Sequence, residues 1–97
     1  MERKANKLRV SSPTKKERAV LDSLYFITSF DELVAELQWP ADEVHKALIS
    51  LIKKGWVVQF VPQKGIPEPI EGLDEDMLRK SFFVATREGL LAHNSRK

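Results

Sequence analysis

Between Asp31 and Leu48 the apolar residues fall at helical spacing. Leu33, Val34 and Leu37 share one face of a first segment, and Val44, Leu48, Leu51 and Ile52 share one face of a second. Two amphipathic helices this close in sequence must fold sharply against each other, and Trp39, in the turn between them, is placed to plug the corner. Lys53-Lys54-Gly55 closes the second helix. Glycine just past the last periodic residue accepts the left-handed conformation without a Cβ penalty, and the lysines complement the negative end of the helix dipole. The run Trp56-Val57-Val58-Gln59-Phe60-Val61 then turns β-branched and aromatic, which predicts a strand.

Around this centre the other elements follow from start and stop signals. Thr14 with Glu17 fits a capping box, and Ser12 before Pro13 offers an alternative cap, so a first helix begins there. It is expected to run to about Thr28, burying Val20, Leu21, Leu24, Tyr25 and Ile27. Ser29 with Glu32 makes a second capping box. Pro62 to Gly72 is rich in proline and glycine and is expected to be an irregular loop, the least ordered internal segment over residues 63–72. Asp74 to Lys80 suits a helical turn with Leu73 and Met77 packing back. Ser81 to Ala85 reads as a second strand, antiparallel to 56–61, and Thr86 caps a short helix whose Leu90 and Leu91 cover the sheet edge or join a dimer contact. The expected architecture is α+β: a winged helix-turn-helix, with a three-helix core, a two-stranded antiparallel wing and a short C-terminal helix. It spans residues 14–93, between a flexible basic arm (1–13) and a frayed tail (94–97).

Composition changes this picture little. At 97 residues, 42% hydrophobic and 31% charged, the chain suits one globular core. No apolar run approaches the ~20 residues of a membrane span. The basic start is followed by polar residues and not by a signal-peptide core, and there is no cysteine, so a cytoplasmic location is expected. Charge is more informative. Residues 1–18 hold seven basic against two acidic residues, 62–76 one against five, and 77–97 five against one. The two ends, and not the wing, suit a polyanion.

The second helix of the central pair is the natural reader of a double helix. Its candidate contacts are Ala41, Asp42, His45, Lys46, Ser50 and Lys53, joined by Arg79 and Lys80 from the far end of the wing. Recognition helices touch base edges with their N-terminal residues. Here Asp42 and Glu43 stand in that turn, where a carboxylate can accept from the cytosine amino group but is repelled by phosphate. An acidic wing is likewise a poor minor-groove ligand. Enzyme chemistry has little support. His45 and His93 lack partners at metal-ligand spacing, no glycine-rich phosphate loop is present, and Asp74, Glu75 and Asp76 lack the pattern of a calcium loop. No cofactor or metal is expected.

Leu33-Val34, Leu37, Trp39-Pro40, Val44, Leu48, Leu51, Gly55-Trp56-Val57 and Thr86-Arg87-Glu88-Gly89 together resemble winged helix-turn-helix transcriptional regulators of the MarR and ArsR type, over roughly residues 15–92. The resemblance implies that the helix from Ala41 enters the major groove of double-stranded DNA and that the hairpin lies over the minor groove. Gln38 stands where that family commonly has glycine and Pro40 where it has Ser or Thr. The flanking dimerisation helices of the MarR type are missing, so a homodimer would need another surface. The rival expectation is a winged helix that binds protein through its acidic loop and Ile49, Ile66 and Ile70.

Overall fold

The computed structural model describes residues 13–94. Four α-helices and a 3-10 helix pack on a four-stranded antiparallel sheet in the order α1 (Lys15–Asp22), β1 (Thr28–Ser29), α2 (Phe30–Leu37), α3 (Ala41–Lys53), β2 (Val57–Gln63), β3 (Ile66–Pro69), the 3-10 helix (Glu75–Lys80), β4 (Phe82–Ala85) and α4 (Arg87–Asn94). The sheet order is β1-β4-β2-β3. The basic arm expected at 1–13 lies outside the described residues except for Pro13, and so do residues 95–97. Asn94, expected in the tail, is the last residue of α4.

Both capping boxes form as read, Thr14 with Glu17 at α1 and Ser29 with Glu32 at α2. The core joins α1 (Val20, Leu21), α2 (Phe30, Leu33) and α3 (Val44, Leu48, Leu51, Ile52) to Val57 and Phe83 of the sheet. Gly55 takes φ +79° at the end of α3, as its place after the last periodic residue requires. At Gln38 the chain turns with φ 58° between α2 and α3, a conformation open to a non-glycine residue at some cost. Trp39 is half-buried against the core there, so it lines the corner without being sealed in it. Thr86 ties α4 to the end of α3: its hydroxyl donates to the Gly55 carbonyl (2.8 Å) and accepts from the Gly89 amide (3.0 Å). Gly89 passes so close to Trp56 that a Cβ there would lie 2.2 Å from the Trp56 carbonyl oxygen, so only glycine fits.

Two expectations need correction. The first helix ends at Asp22 and not near Thr28, and Tyr25 and Ile27 are exposed. Thr28 and Ser29 are drawn off as a short edge strand paired with Phe83 and Phe82, which pulls the chain out of helical register. Secondly, the wing is not two-stranded, and 63–72 is not an irregular loop. Its middle is β3, paired with the distal half of β2 through Gln63↔Ile66, Pro62↔Pro67, Val61↔Glu68 and Phe60↔Pro69. Lys64 (φ 52°) and Gly65 (φ 83°) make the two-residue turn, the double positive φ of a type I′ hairpin. The pair flanking such a turn exchanges hydrogen bonds, and bonded pairs then alternate. Pro62, Pro67 and Pro69 therefore all fall on the non-bonded pairs, where a missing N–H costs the ladder nothing. Ile70 N–H to Gln59 carbonyl (3.1 Å) continues the same alternation.

On the return from β3 to β4 the helical turn forms and Leu73 packs half-buried on the core as expected; Met77 is half-buried, and the fully buried residue there is Leu78. A fully buried amide organises this stretch. The Gln59 side chain donates to the Asp74 carbonyl (2.9 Å) and to Ser81 Oγ (2.9 Å), and accepts from the Asp74 amide (2.9 Å). Ser81 Oγ in turn donates to the Met77 carbonyl (2.7 Å). A buried amide so fully satisfied fixes the segment it reaches.

Candidate nucleic-acid interface

The eight residues expected to touch DNA separate into groups once placed. Ala41 packs half-buried on the core, and Ser50 is half-buried with its hydroxyl donating to Glu17 Oε2 at 2.7 Å. Neither is free for a contact, because Glu17 of α1 takes the Ser50 hydroxyl and Ala41 packs against the core. Lys46, Lys53 and Lys80 are exposed and join no salt bridge among the described residues. Lys16 and Lys46 edge a shallow groove of about 230 Å³ between the start of α1 and α3.

Asp42, His45 and Arg79 are brought together. Arg79, on the 3-10 helix, reaches the first turn of α3, where Nη2 donates to Asp42 Oδ1 (2.7 Å) and Nε donates to His45 Nδ1 (3.2 Å). With Nδ1 accepting, the His45 proton sits on Nε2, which faces Glu75 Oε2 at 3.4 Å. Arg79 also lies over the Phe30 ring, 5.6 Å from its centre. The second acid of the turn, Glu43, is paired with Lys16 of α1. The hydrogen bond and charge of Arg79 hold the Asp42 carboxyl below its ordinary range, and those of Lys16 do the same for Glu43. The acids thus stay ionised, and each has a cation from another element beside it.

Further along α3 lies a second ionic cluster that the sequence did not reveal. Glu17, read only as a capping residue, is 4% exposed. It takes two hydrogen bonds from Lys54 (2.8 and 2.9 Å), one from Ser50 and one from the Thr14 amide (3.0 Å). Burial alone would raise its pKa, but Lys54, the Thr14 amide and Ser50 together outweigh it and lower the pKa. Lys54 is held against the Trp56 ring at 4.8 Å. Lys16, Glu17 and Glu75 were missed because their partners lie 27 to 37 residues away, beyond any helical spacing.

Two protein-binding expectations can also be placed. Of the three isoleucines expected to bind protein together with the acidic loop, Ile66 is exposed, whereas Ile49, on α3, and Ile70 are half-buried. No helix of the described residues is long and apolar enough to cross a membrane. No protein-family model, curated protein or solved structure matches the chain.

Proposed function

We propose that this chain is a DNA-binding winged helix of the regulator type, reading the major groove of double-stranded DNA with α3 and meeting phosphates with Lys46, Lys53 and Lys80. The observation that carries the reading is Arg79. It places a guanidinium on the first turn of α3, where a recognition helix touches base edges, beside the imidazole of His45 and over the carboxylate that would otherwise repel phosphate. The α2–α3 pair joined by three residues and the β2–β3 hairpin following α3 also suit a winged helix. Docking of a protein through the acidic wing is supported less, since Ile66 is the one isoleucine of that set that is exposed. Chemistry at this site is not part of the proposal, and it requires no cofactor.

The test is duplex binding as a function of salt. Each phosphate neutralised should contribute about −0.9 to the slope of log K against log salt. Alanine at Lys46 and Lys53 should weaken binding to every duplex and flatten the slope, while His45→Ala should relax preference among sequences. A full-length chain that binds no duplex at low ionic strength overturns the reading.

A further inference from the structure

One polar side chain stands where the alternation of β2 calls for an apolar one. Val57, Gln59 and Val61 share the buried face of the strand, and Gln59 is 0% exposed. Burying an amide there is costly unless its hydrogen bonds are made, and its side-chain partners all lie on one segment, at Asp74 and Ser81. Toward Asp74 the side chain behaves as a second peptide group: Nε2 donates to the Asp74 carbonyl and Oε1 accepts from the Asp74 amide, both at 2.9 Å. The other Nε2 proton goes to Ser81 Oγ at 2.9 Å. Asp74 and Ser81 are the two caps of the 3-10 helix. One buried amide therefore holds both of its ends.

That helix has little else to fix its orientation. A 3-10 helix of six residues is a weak element with poor hydrogen-bond geometry. Leu78 is its one buried residue, and an apolar contact sets depth without setting rotation, because the hydrophobic effect has no direction. The Phe30 amide reaches the Ser81 carbonyl (3.1 Å) at the far end only. On the outer side Arg79 bonds Asp42, but both side chains are open to water and such pairs contribute little. The orientation of the helix about Leu78 thus rests on the hydrogen bonds of Gln59, which are internal and depend on angle. Rotation matters here, because Glu75 and Arg79 take opposite nitrogens of His45: Glu75 Oε2 lies 3.4 Å from Nε2 and Arg79 Nε 3.2 Å from Nδ1.

We infer that Gln59 is a positioning residue for the exposed surface of α3: by gripping Asp74 and Ser81 from inside the sheet it sets Glu75 and Arg79 on the two nitrogens of His45, and so fixes a guanidinium at the first turn of that helix. Gln59 is sealed from solvent and acts only through the 3-10 helix. The placement stands on these contacts alone. Its consequence for duplex binding rests on the DNA reading, under which the charge that meets phosphate beside His45 is set by an uncharged side chain on β2.

Nitrogen-15 NMR of the full chain tests the placement. In the parent, the Arg79 Nε–H, assigned by its loss in Arg79→Ala, should give a resonance protected from solvent exchange, and neutral His45 should hold its proton on Nε2. Gln59→Met keeps the length of the side chain and removes the amide. It should abolish the protection of Arg79 Nε–H and mix the two tautomers of His45, while the methyl resonances of Leu21, Leu33 and Leu48 in the core keep their positions. Ser81→Ala, which removes one of the anchors, should act in the same direction and less. Retention of the Arg79 and His45 signals in a folded Gln59→Met overturns the inference; if that variant does not fold, their retention in Ser81→Ala overturns it. A parent without a protected Arg79 Nε–H overturns it as well. With duplex, Gln59→Met should lower the magnitude of the salt slope by about one, as Arg79→Ala does, and the double variant should lower it no further. Loss of the Arg79 signal with the slope unchanged, or no duplex binding by the parent, would count against the DNA reading and leave the positioning role standing.

Discussion

Two carboxylates are paired along α3, Asp42 in its first turn and Glu17, reaching from α1, near its end, and burial separates their roles. Around Glu17 the carboxylate itself is buried: Lys54, 38% exposed, closes on it from the surface with Ser50 and the Thr14 amide, and water hardly reaches its oxygens. Around Asp42 the groups are much the same, a carboxylate with a cation from a distant element, but Asp42 is 82% exposed and Arg79 47%. A buried carboxylate cannot lose its cation without being left uncompensated, whereas an exposed pair can give its guanidinium to a phosphate at small cost. The same chemistry therefore serves structure at one end of α3 and is open to solvent at the other, where the proposed contact with DNA lies.

The sharpest way to break this comparison is to remove each carboxylate and measure unfolding. Glu17→Ala leaves the Thr14 amide and Ser50 without an acceptor and Lys54 without its counterion, and should cost about 2–4 kcal/mol in urea denaturation. Asp42→Ala should leave the midpoint where it is. Equal losses at the two sites would remove the distinction.

Acid titration sharpens the same contrast. The folded pKa of Glu17 lies below its ordinary value of 4.5. Its contribution to stability is thus complete above that value and is lost as pH falls through the lower folded pKa. Glu17→Gln should reduce the drop in denaturation midpoint between neutral pH and pH values below the ordinary glutamate range. Asp42→Asn, at a carboxylate in water, should reduce it much less. An unchanged acid limb in Glu17→Gln would show that other carboxylates carry it.

How much of this was legible in the chain depends on range. Contacts within a turn or two were readable: both capping boxes, the stop at Gly55 and the buried stripe of α3 follow from side chains three to four residues apart. The wing was misread because proline and glycine are local breakers only when their register is unknown. Pro62, Pro67 and Pro69 share one parity of the ladder, and that parity is set by the Lys64-Gly65 turn. Tyr25 and Ile27 continue the helical period of α1 on paper, yet pairing of Thr28 with Phe83, 55 positions away in sequence, ends that period. Among the site residues, exposure of Lys46 and Lys53 followed from helical phase, while the loss of Ser50 to Glu17 required knowing where α1 crosses.

At the exposed cluster, Arg79→Ala is the next test by size. If Arg79 is free to leave Asp42 for a phosphate, its removal should weaken duplex binding and lower the magnitude of the salt slope by about one, with little change in thermal midpoint. A large loss of stability without a change in slope would make Arg79 a structural clamp and move the site away from the start of α3.

The smallest effect is also the most discriminating one. Asp42→Asn removes the charge and retains an oxygen that can accept a hydrogen bond, so it separates two uses of the same side chain. If the carboxylate only repels phosphate and is shielded by Arg79, neutralising it frees the guanidinium and removes a like charge from the path of the DNA. Affinity for all duplexes should then rise a few-fold, most at low salt where exposed charges are least screened. If the carboxylate instead accepts from a cytosine amino group, general affinity should change little and the preference for a C·G pair at one position should fall, by up to the ~1–3 kcal/mol that a good base contact provides. Binding selections with the parent and the variant on one randomised duplex pool, run at two salt concentrations, read both outcomes together. A variant identical to the parent in affinity and in preference would mean that the first turn of α3 does not face the duplex.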